Sequence, residues 1–233
     1  MLGLGNSIIS GGVAEEFLPT QVNNLKLWLQ NGVGVTAAQW DDSSGNSNHA
    51  VQGTAGNQAT VDGGGLEFDG SDDHYDIGDP VVGIEISDEE SLTIFVVVEL
   101  DNVDKDTILG IDAAGDFFEV QTQKRLRLNF DSGGSLQINF ASNQFINDEK
   151  HLITIERESG GTGNVNIFKN GSLLSPDSQL SSAAGITFKT IGSRGVDRFL
   201  GGHIYELLVY DTADLTSDEM SSVNNYLTSK FGL

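Results

Sequence analysis

Residues 40–50 read WDDSSGNSNHA and bring two carboxylates, three hydroxyls, two amides and one imidazole into eleven positions. Asp41, Asp42, Asn46 and Asn48 offer hard oxygen donors of the kind that hold calcium, on a chain with a large excess of acid. The spacing is not that of an EF-hand loop, and no second ligand segment is identifiable. The same residue types also turn corners, because Asn and Ser side chains imitate backbone hydrogen bonds and Gly45 accepts a positive φ. A corner with Trp40 tucked beneath it therefore competes with a calcium site. If the loop is only a turn, Asp42→Asn is expected to leave its hydrogen bonding nearly intact, since an amide oxygen accepts much as a carboxylate does.

Other chemistry is sparse. The acidic run at 85–90 (EISDEE) reads as a turn leading into a strand, and the four histidines lie far apart. There is no G-x-S-x-G elbow, no phosphate-binding G-x-x-x-x-G-K-[ST] and no H-E-x-x-H. Without cysteine there is no thiol nucleophile, disulfide or thiolate metal site. Tyr75, Tyr205 and Tyr210 fall where strands use aromatic residues for packing.

The 12 basic and 34 acidic residues give a formal charge of −22, which repels nucleic-acid phosphate and anionic membranes and favours divalent cations as small partners. The acid is spread along the chain, as suits a protein in salty surroundings or a particle surface that must not stick. In 233 residues there is room for one domain with a sizeable core, and 29 glycines announce many turns. The opening MLGLGNSIISGGV is apolar but has no basic start and no long apolar run, so it reads neither as a signal peptide nor as a membrane span.

The elements that must position any site are short strands. Residues 125–130 (RLRLNF) and 135–140 (SLQINF) alternate with period two, putting Leu126, Leu128 and Phe130 on one face with Leu136, Ile138 and Phe140, joined through DSGG at 131–134. Residues 91–100 (SLTIFVVVEL) are apolar almost throughout and predict a central strand covered on both faces. Residues 151–158 and 164–169 follow, the latter ending in the turn pair Asn170-Gly171, and a meander is the economical connection. Residues 202–211 form the last long strand, in which a buried Glu206 must find a partner. One helix is predicted: Thr216 and Glu219 form a capping box, Leu215 and Met220 a staple, and Met220, Val223 and Leu227 the buried stripe, ending near Gly232.

Together LKLWLQ (25–30), WDDSSGNSNHA, LEFDGSDDHYDIG (66–78) and the closing HIYELLVYDTADLTSDEMSSVNNYLTSKFGL resemble the concanavalin A-like lectin/glucanase superfamily, in its laminin-G-like form. The resemblance covers residues 23–233. It implies an all-β, two-sheet antiparallel jelly-roll sandwich with one C-terminal helix as a lid and with Trp28 and Phe68 as core anchors. Some laminin-G-like relatives bind calcium, and no other cofactor is implied. Glycosidases of the superfamily carry alternating acids as E-x-D-x-x-E on one strand, so that two carboxylates face the substrate together. No strand here has that pattern, so the reading is non-catalytic.

Residues 1–22 are expected to be an extended anchoring arm, because Leu2, Leu4, Ile8 and Ile9 with a Gly11-Gly12 hinge cannot bury their own side chains. The opening MLGLGNSIISGG resembles the start of structural proteins of marine tailed phages. The combined reading is a virion structural protein, a head decoration or appendage subunit assembled in the host cytoplasm. It is expected to be homo-oligomeric, to contact other virion proteins through the arm, and to take neither nucleic acid nor a membrane as partner. Two alternatives stand beside it: a carbohydrate-binding host-adhesion module that recognises a surface glycan, and a glycoside hydrolase.

Overall fold

The alternation at 125–140 folds as an antiparallel pair, Arg125–Phe130 with Gly134–Asn139, in which Leu126 lies opposite Ile138 and Leu128 opposite Leu136. Leu126, Leu128, Phe130, Ile138 and Phe140 are buried between two sheets, and Leu136 is half-buried against them. The computed structural model of the protein describes residues 17–78, 80–111, 115–130, 134–195, 197–211 and 214–233. Most of the hairpin turn, and the arm residues Leu2, Leu4, Ile8 and Ile9, lie outside the described residues.

The fold is a two-sheet antiparallel jelly-roll sandwich. In lateral order, one sheet runs Ser172–Leu173, Asn164–Lys169, Lys150–Arg157, Leu92–Leu100, Gly201–Asp211, Gly65–Asp69 and Thr60–Asp62. Leu25–Leu29 also pairs with Gly201–Asp211, and Leu180–Ser181 with Asn164–Lys169. The second sheet runs Gly134–Asn139, Arg125–Phe130, Phe117–Thr122, Asp106–Gly110, Thr190–Ile191, Tyr75–Ile77, Ala50–Val51 and Gln39–Trp40. Ile84–Ile86 and Ile186–Phe188 form a separate small pair.

Leu92–Leu100 is central as predicted, because its two faces feed two different cores. Ile94, Val96 and Val98 point between the sheets with Ile153, Ile155, Leu207 and Val209. Phe95 and Val97 point outward, where Trp28, Leu152, Leu208 and Tyr210 join Met220, Val223 and Leu227 of the helix Ser217–Phe231. The meander holds only in part. After Leu100 the chain crosses to the second sheet, forms four consecutive strands from Asp106 to Asn139, and returns to pair Lys150–Arg157 beside Leu92–Leu100. A sandwich requires such a switch, since a single meander would leave one large sheet face unburied.

The helix begins and ends as its sequence dictates. Thr216 accepts from the Glu219 N–H while the Glu219 carboxylate accepts from the Thr216 N–H, and Gly232 closes the last turn at φ 70°. Leu215 packs beside buried Met220. Ahead of the first strand, Val22 is buried under this helix, and the Tyr210 hydroxyl donates to the Pro19 carbonyl. Residues 17–22 thus pack on the sandwich. Among the described residues no helix is long and apolar enough to cross a membrane.

Candidate functional site

The two sheets differ in what lies on their outer faces. The first is covered by the helix; on the second, the outward positions of three adjacent strands carry mainly polar side chains instead. Along Phe117–Thr122, Phe118 and Val120 enter the inter-sheet core, so Phe117, Glu119 and Gln121 project outward. Register then places Thr107 and Arg127 on either side of Glu119, and Gln137 beyond Arg127. One row along, Asn129 flanks Phe117, with Ser135 beyond it.

Glu119 is fully buried, although it lies on an outer face. Arg127 Nη1 approaches its Oε1 at 3.4 Å, and Arg194 Nη1 approaches Oε2 at 3.6 Å. Both guanidiniums also lie over the Phe117 ring, at 5.0 Å for Arg127 and 4.3 Å for Arg194. Arg127 is fixed further by Ser135 Oγ, which accepts from Nη2 at 3.0 Å. At the rim, Arg125 donates from Nε to Asn139 at 2.6 Å and from Nη1 to Gln121 at 3.2 Å. Two cations over one aromatic ring and one buried carboxylate make a rigid floor. The half-exposed Gln121, Arg125, Asn129 and Asn139 and the exposed Gln137 form a rim of planar donors and acceptors above it.

Arg194 arrives by a long-range route. It follows the strand Thr190–Ile191, and its backbone crosses directly over Gly110, where a Cβ would collide with the Ser193 carbonyl. Gly110 is therefore required by close approach of two backbones. The register of Phe117–Thr122 also shifts against the strand before it and the strand after it, and such bulges re-aim side chains beside sites.

Little in the sequence announces this centre. The usable signal was the Phe117-Phe118-Glu119-Val120-Gln121 alternation next to the RLRLNF strand, whose Arg125 and Arg127 fall on the wet face. Nothing local to 190–198 announces that Arg194 reaches Glu119.

The oxygen donors of the 40–50 loop lie in a corner. Asp42 Oδ1 accepts from the Trp28 N–H and the Ser44 N–H, both at 2.9 Å, and Oδ2 accepts from Ser44 Oγ at 2.7 Å and the Asn48 N–H at 3.0 Å. Asn46 and Asn48 turn their NH2 groups, not their oxygens, toward the Leu25 and Lys26 carbonyls, at 2.7 and 2.8 Å. Asp41 is turned to Gln39, whose amide donates to it at 2.6 Å, with His49 Nδ1 3.6 Å away. The four predicted ligands are thus engaged in separate internal contacts, of which those of Asp42, Asn46 and Asn48 stitch the loop to the strand Leu25–Leu29. Trp40 lies buried beneath, donating to the Gln30 carbonyl at 3.0 Å.

Asp42 uses both oxygens as acceptors, so an amide could not replace it without turning an NH2 toward a donor.

Among the described residues the carboxylates of Asp69, Asp72 and Asp73 come within 4.8 Å of one another. They cap the turn after Gly65–Asp69: Asp73 accepts from the Asp69 N–H and Asp69 from the Ser71 N–H. Burial pushes the Asp73 carboxyl above its usual range, with Asp69 and Asp72 adding to the rise and the Asp69 N–H opposing it.

No protein-family model matches the chain, and no curated protein does. Among solved structures the fold is similar to Trypanosoma rangeli sialidase in complex with sialic acid, with TM-score 0.59 and 14% identity over 90% of this chain and 33% of that one. It is similar to the binding domain of botulinum neurotoxin DC in complex with rat synaptotagmin II, with TM-score 0.58 and 18% identity over 88% of this chain and 52% of that one. The binding domain of Paraclostridial Mosquitocidal Protein 1 gives TM-score 0.57 and 16% identity over 90% and 53%. This chain spans 33% of the sialidase chain and 52–53% of the two toxin binding domains. At these identities the likeness is one of fold: β-sandwiches of jelly-roll type.

Proposed function

We propose that the chain is a non-catalytic recognition module of the concanavalin A-like, laminin-G-like kind, which binds acidic saccharides on the outer face of its second sheet. The observation that carries this reading is the asymmetry of the two outer faces. One is largely covered by a helix, while the other holds Arg125, Arg127 and Arg194, three of the five arginines of a chain with net charge −22. Guanidiniums flanked by Gln and Asn side chains suit a ligand with a carboxylate or sulfate beside several hydroxyls. Two of the structurally similar proteins are toxin binding domains and another is a sialidase bound to sialic acid, which supports a recognition role for this type of sandwich.

The non-catalytic part of the reading rests on Glu119. A glycosidase of the two-carboxylate kind needs a second carboxyl group facing the first across the substrate. The positions beside Glu119 on the neighbouring strands are Thr107 and Arg127, with Gln137 beyond. In this reading the loop at 40–50 serves as a corner and holds no ion.

A second reading, a virion decoration or appendage subunit, is favoured by the apolar Leu2, Leu4, Ile8 and Ile9 at the start of the chain. The two are compatible, since an arm can hold a recognition module on a particle. Deleting residues 1–13 separates them: saccharide binding survives in either case, and only an anchoring arm makes the truncated protein fail to join particles. The recognition role itself is tested on a glycan array. Acidic glycans are expected to bind the wild type and to be lost in Arg125→Ala/Gln137→Glu, a pair of changes at half-exposed and exposed positions.

A further inference from the structure

The helix Ser217–Phe231 covers the first sheet incompletely. Beside the strands Lys150–Arg157 and Asn164–Lys169 it leaves a groove of about 500 Å³, within the range of small-ligand sites. From the helix the groove is lined by Ser217, Ser221, Asn225 and Thr228, and from the sheet by Glu156 and Phe168. Ser217, Ser221 and Asn225 recur every four residues, so they stand in one row about 6 Å apart along the helix. Among the described residues none of these three side chains has a hydrogen-bond partner within the protein.

All three residues are exposed to solvent, and their small side chains leave the groove open. Ser and Asn are mediocre helix formers, and long Lys, Glu or Leu side chains at the same places would fill the space. The floor, in contrast, is fixed. Asn224 is buried, donates to the Met220 carbonyl at 2.9 Å and accepts from Thr154 Oγ1 at 3.3 Å. The Asn170-Gly171 turn closes one end, with the Asn170 side chain accepting from the Leu152 N–H at 2.9 Å and Gly171 at φ 76°. Glu156 is oriented by the Asn166 amide, which donates to it at 3.0 Å, and the half-buried Phe168 ring forms an apolar wall.

We infer that this groove is a second binding site, which takes a short neutral saccharide. Free hydroxyl and amide groups spaced at about the length of a sugar ring offer alternating donors and acceptors, as a row of ring hydroxyls requires. Glu156 accepts from a sugar hydroxyl, and Phe168 meets a C–H face. Glu156, Glu158 and the nearby Asp214 make the surroundings negative, which excludes acidic sugars. The two sites therefore sort saccharides by charge, arginines on one face and acids on the other. The inference stands apart from the proposal for the arginine face and does not rest on it.

The test is a glycan array of neutral and acidic oligosaccharides probed with the full chain, followed by calorimetric titration of the neutral binders. Ser221→Arg, which fills the groove from an exposed helix position, and Asn225→Ala are expected to keep the wild-type melting temperature and weaken neutral glycans at least tenfold. Arg125→Ala/Gln137→Glu is expected to leave neutral binding unchanged. If no neutral glycan binds, or if the groove variants bind as the wild type does, the inference is overturned. Loss of neutral binding in the arginine-face variant instead would move the ligand to that face and also overturn the groove. Loss of acidic glycans alone in that variant leaves the proposed function standing whatever the groove does.

Discussion

The indole N–H of Trp28 donates to Oε1 of Glu206 at 2.8 Å, joining residues 178 positions apart. Glu206 is fully buried beneath the helix, where the Tyr226 hydroxyl donates to Oε1 at 3.2 Å and Lys230 Nζ to Oε2 at 2.6 Å. The carboxylate thus ties the first strand, the last long strand and the helix to one another. Removing Lys230, which is partly exposed, leaves the buried charge held only by Trp28 and Tyr226 and costs about 1 to 3 kcal/mol. Lys230→Met is expected to lower the urea midpoint by about that equivalent, whereas Glu206→Leu/Lys230→Met, which removes the charge as well, recovers much of it. Equal loss in the single and double variants would show that the pair does not act as a unit.

Two buried groups give opposite pH dependences. Burial pushes the Asp106 carboxyl up to about 6, against the opposing N–H donors of Gly201 and Asp104. Its folded-state value lies above the unfolded one of about 3.9, so the stability it contributes is present at low pH and is lost as pH rises through about 4 to 6, about 3 kcal/mol in all. Burial first, and then the nearby Lys169 charge, push the His151 imidazole below its usual range. That ring stays neutral when folded, and the stability it contributes is lost as pH falls below about 6.5, where the unfolded chain takes up the proton. Melting curves from pH 4 to 8 should show the acid-side gain vanish in Asp106→Asn and the loss below about 6.5 vanish in His151→Gln. Parallel curves for wild type and both variants would contradict the assignment.

The corner at 40–50 makes a sharp claim about Asp42. Because its two oxygens accept four hydrogen bonds, Asp42→Asn must turn an NH2 toward the Asn48 N–H or the Trp28 N–H, at a cost of about 2 kcal/mol. Adding calcium or a chelator should leave the wild-type melting temperature unchanged. A calcium-dependent rise of several degrees, absent in Asp42→Asn, would instead make this loop a metal site.

Helix capping gives an independent check on the lid. Thr216→Ala with Leu215→Ala removes the side-chain acceptor of the Glu219 N–H and the apolar contact beside Met220. The pair should cost about 1 to 2 kcal/mol without altering acidic-saccharide binding on the second sheet. An unchanged unfolding midpoint would mean that the helix is not held as described.

What was legible in the sequence follows a physical division. Local periodicity revealed the strands from Arg125 to Asn139, the doubly buried Leu92–Leu100 and the capped helix, because each pattern reports burial of its own face. Glu206 was legible as a charge in need of partners, but not which partners, since these come from residues 28, 226 and 230. The arginine face was not legible. The adjacent Phe117 and Phe118 point to opposite faces and mask the alternation, and Arg194 reaches Glu119 only through a backbone crossing over Gly110. The groove was likewise hidden, because Ser217, Ser221 and Asn225 look like an ordinary wet helix face until the neighbouring strands are in place.

The proposed recognition of acidic saccharides by the outer face of the second sheet can be read out in an affinity comparison on that one face. An acidic glycan selected on the array should bind the wild type, and Arg125→Ala/Gln137→Glu should weaken it by at least tenfold at an unchanged melting temperature. Gln137→Glu alone, which sets a carboxylate opposite Arg127, should already weaken it, and Gln137→Arg should strengthen it. Acidic-glycan affinity that is indifferent to the charge at position 137, or no acidic glycan bound by the wild type at all, would rule out this recognition role.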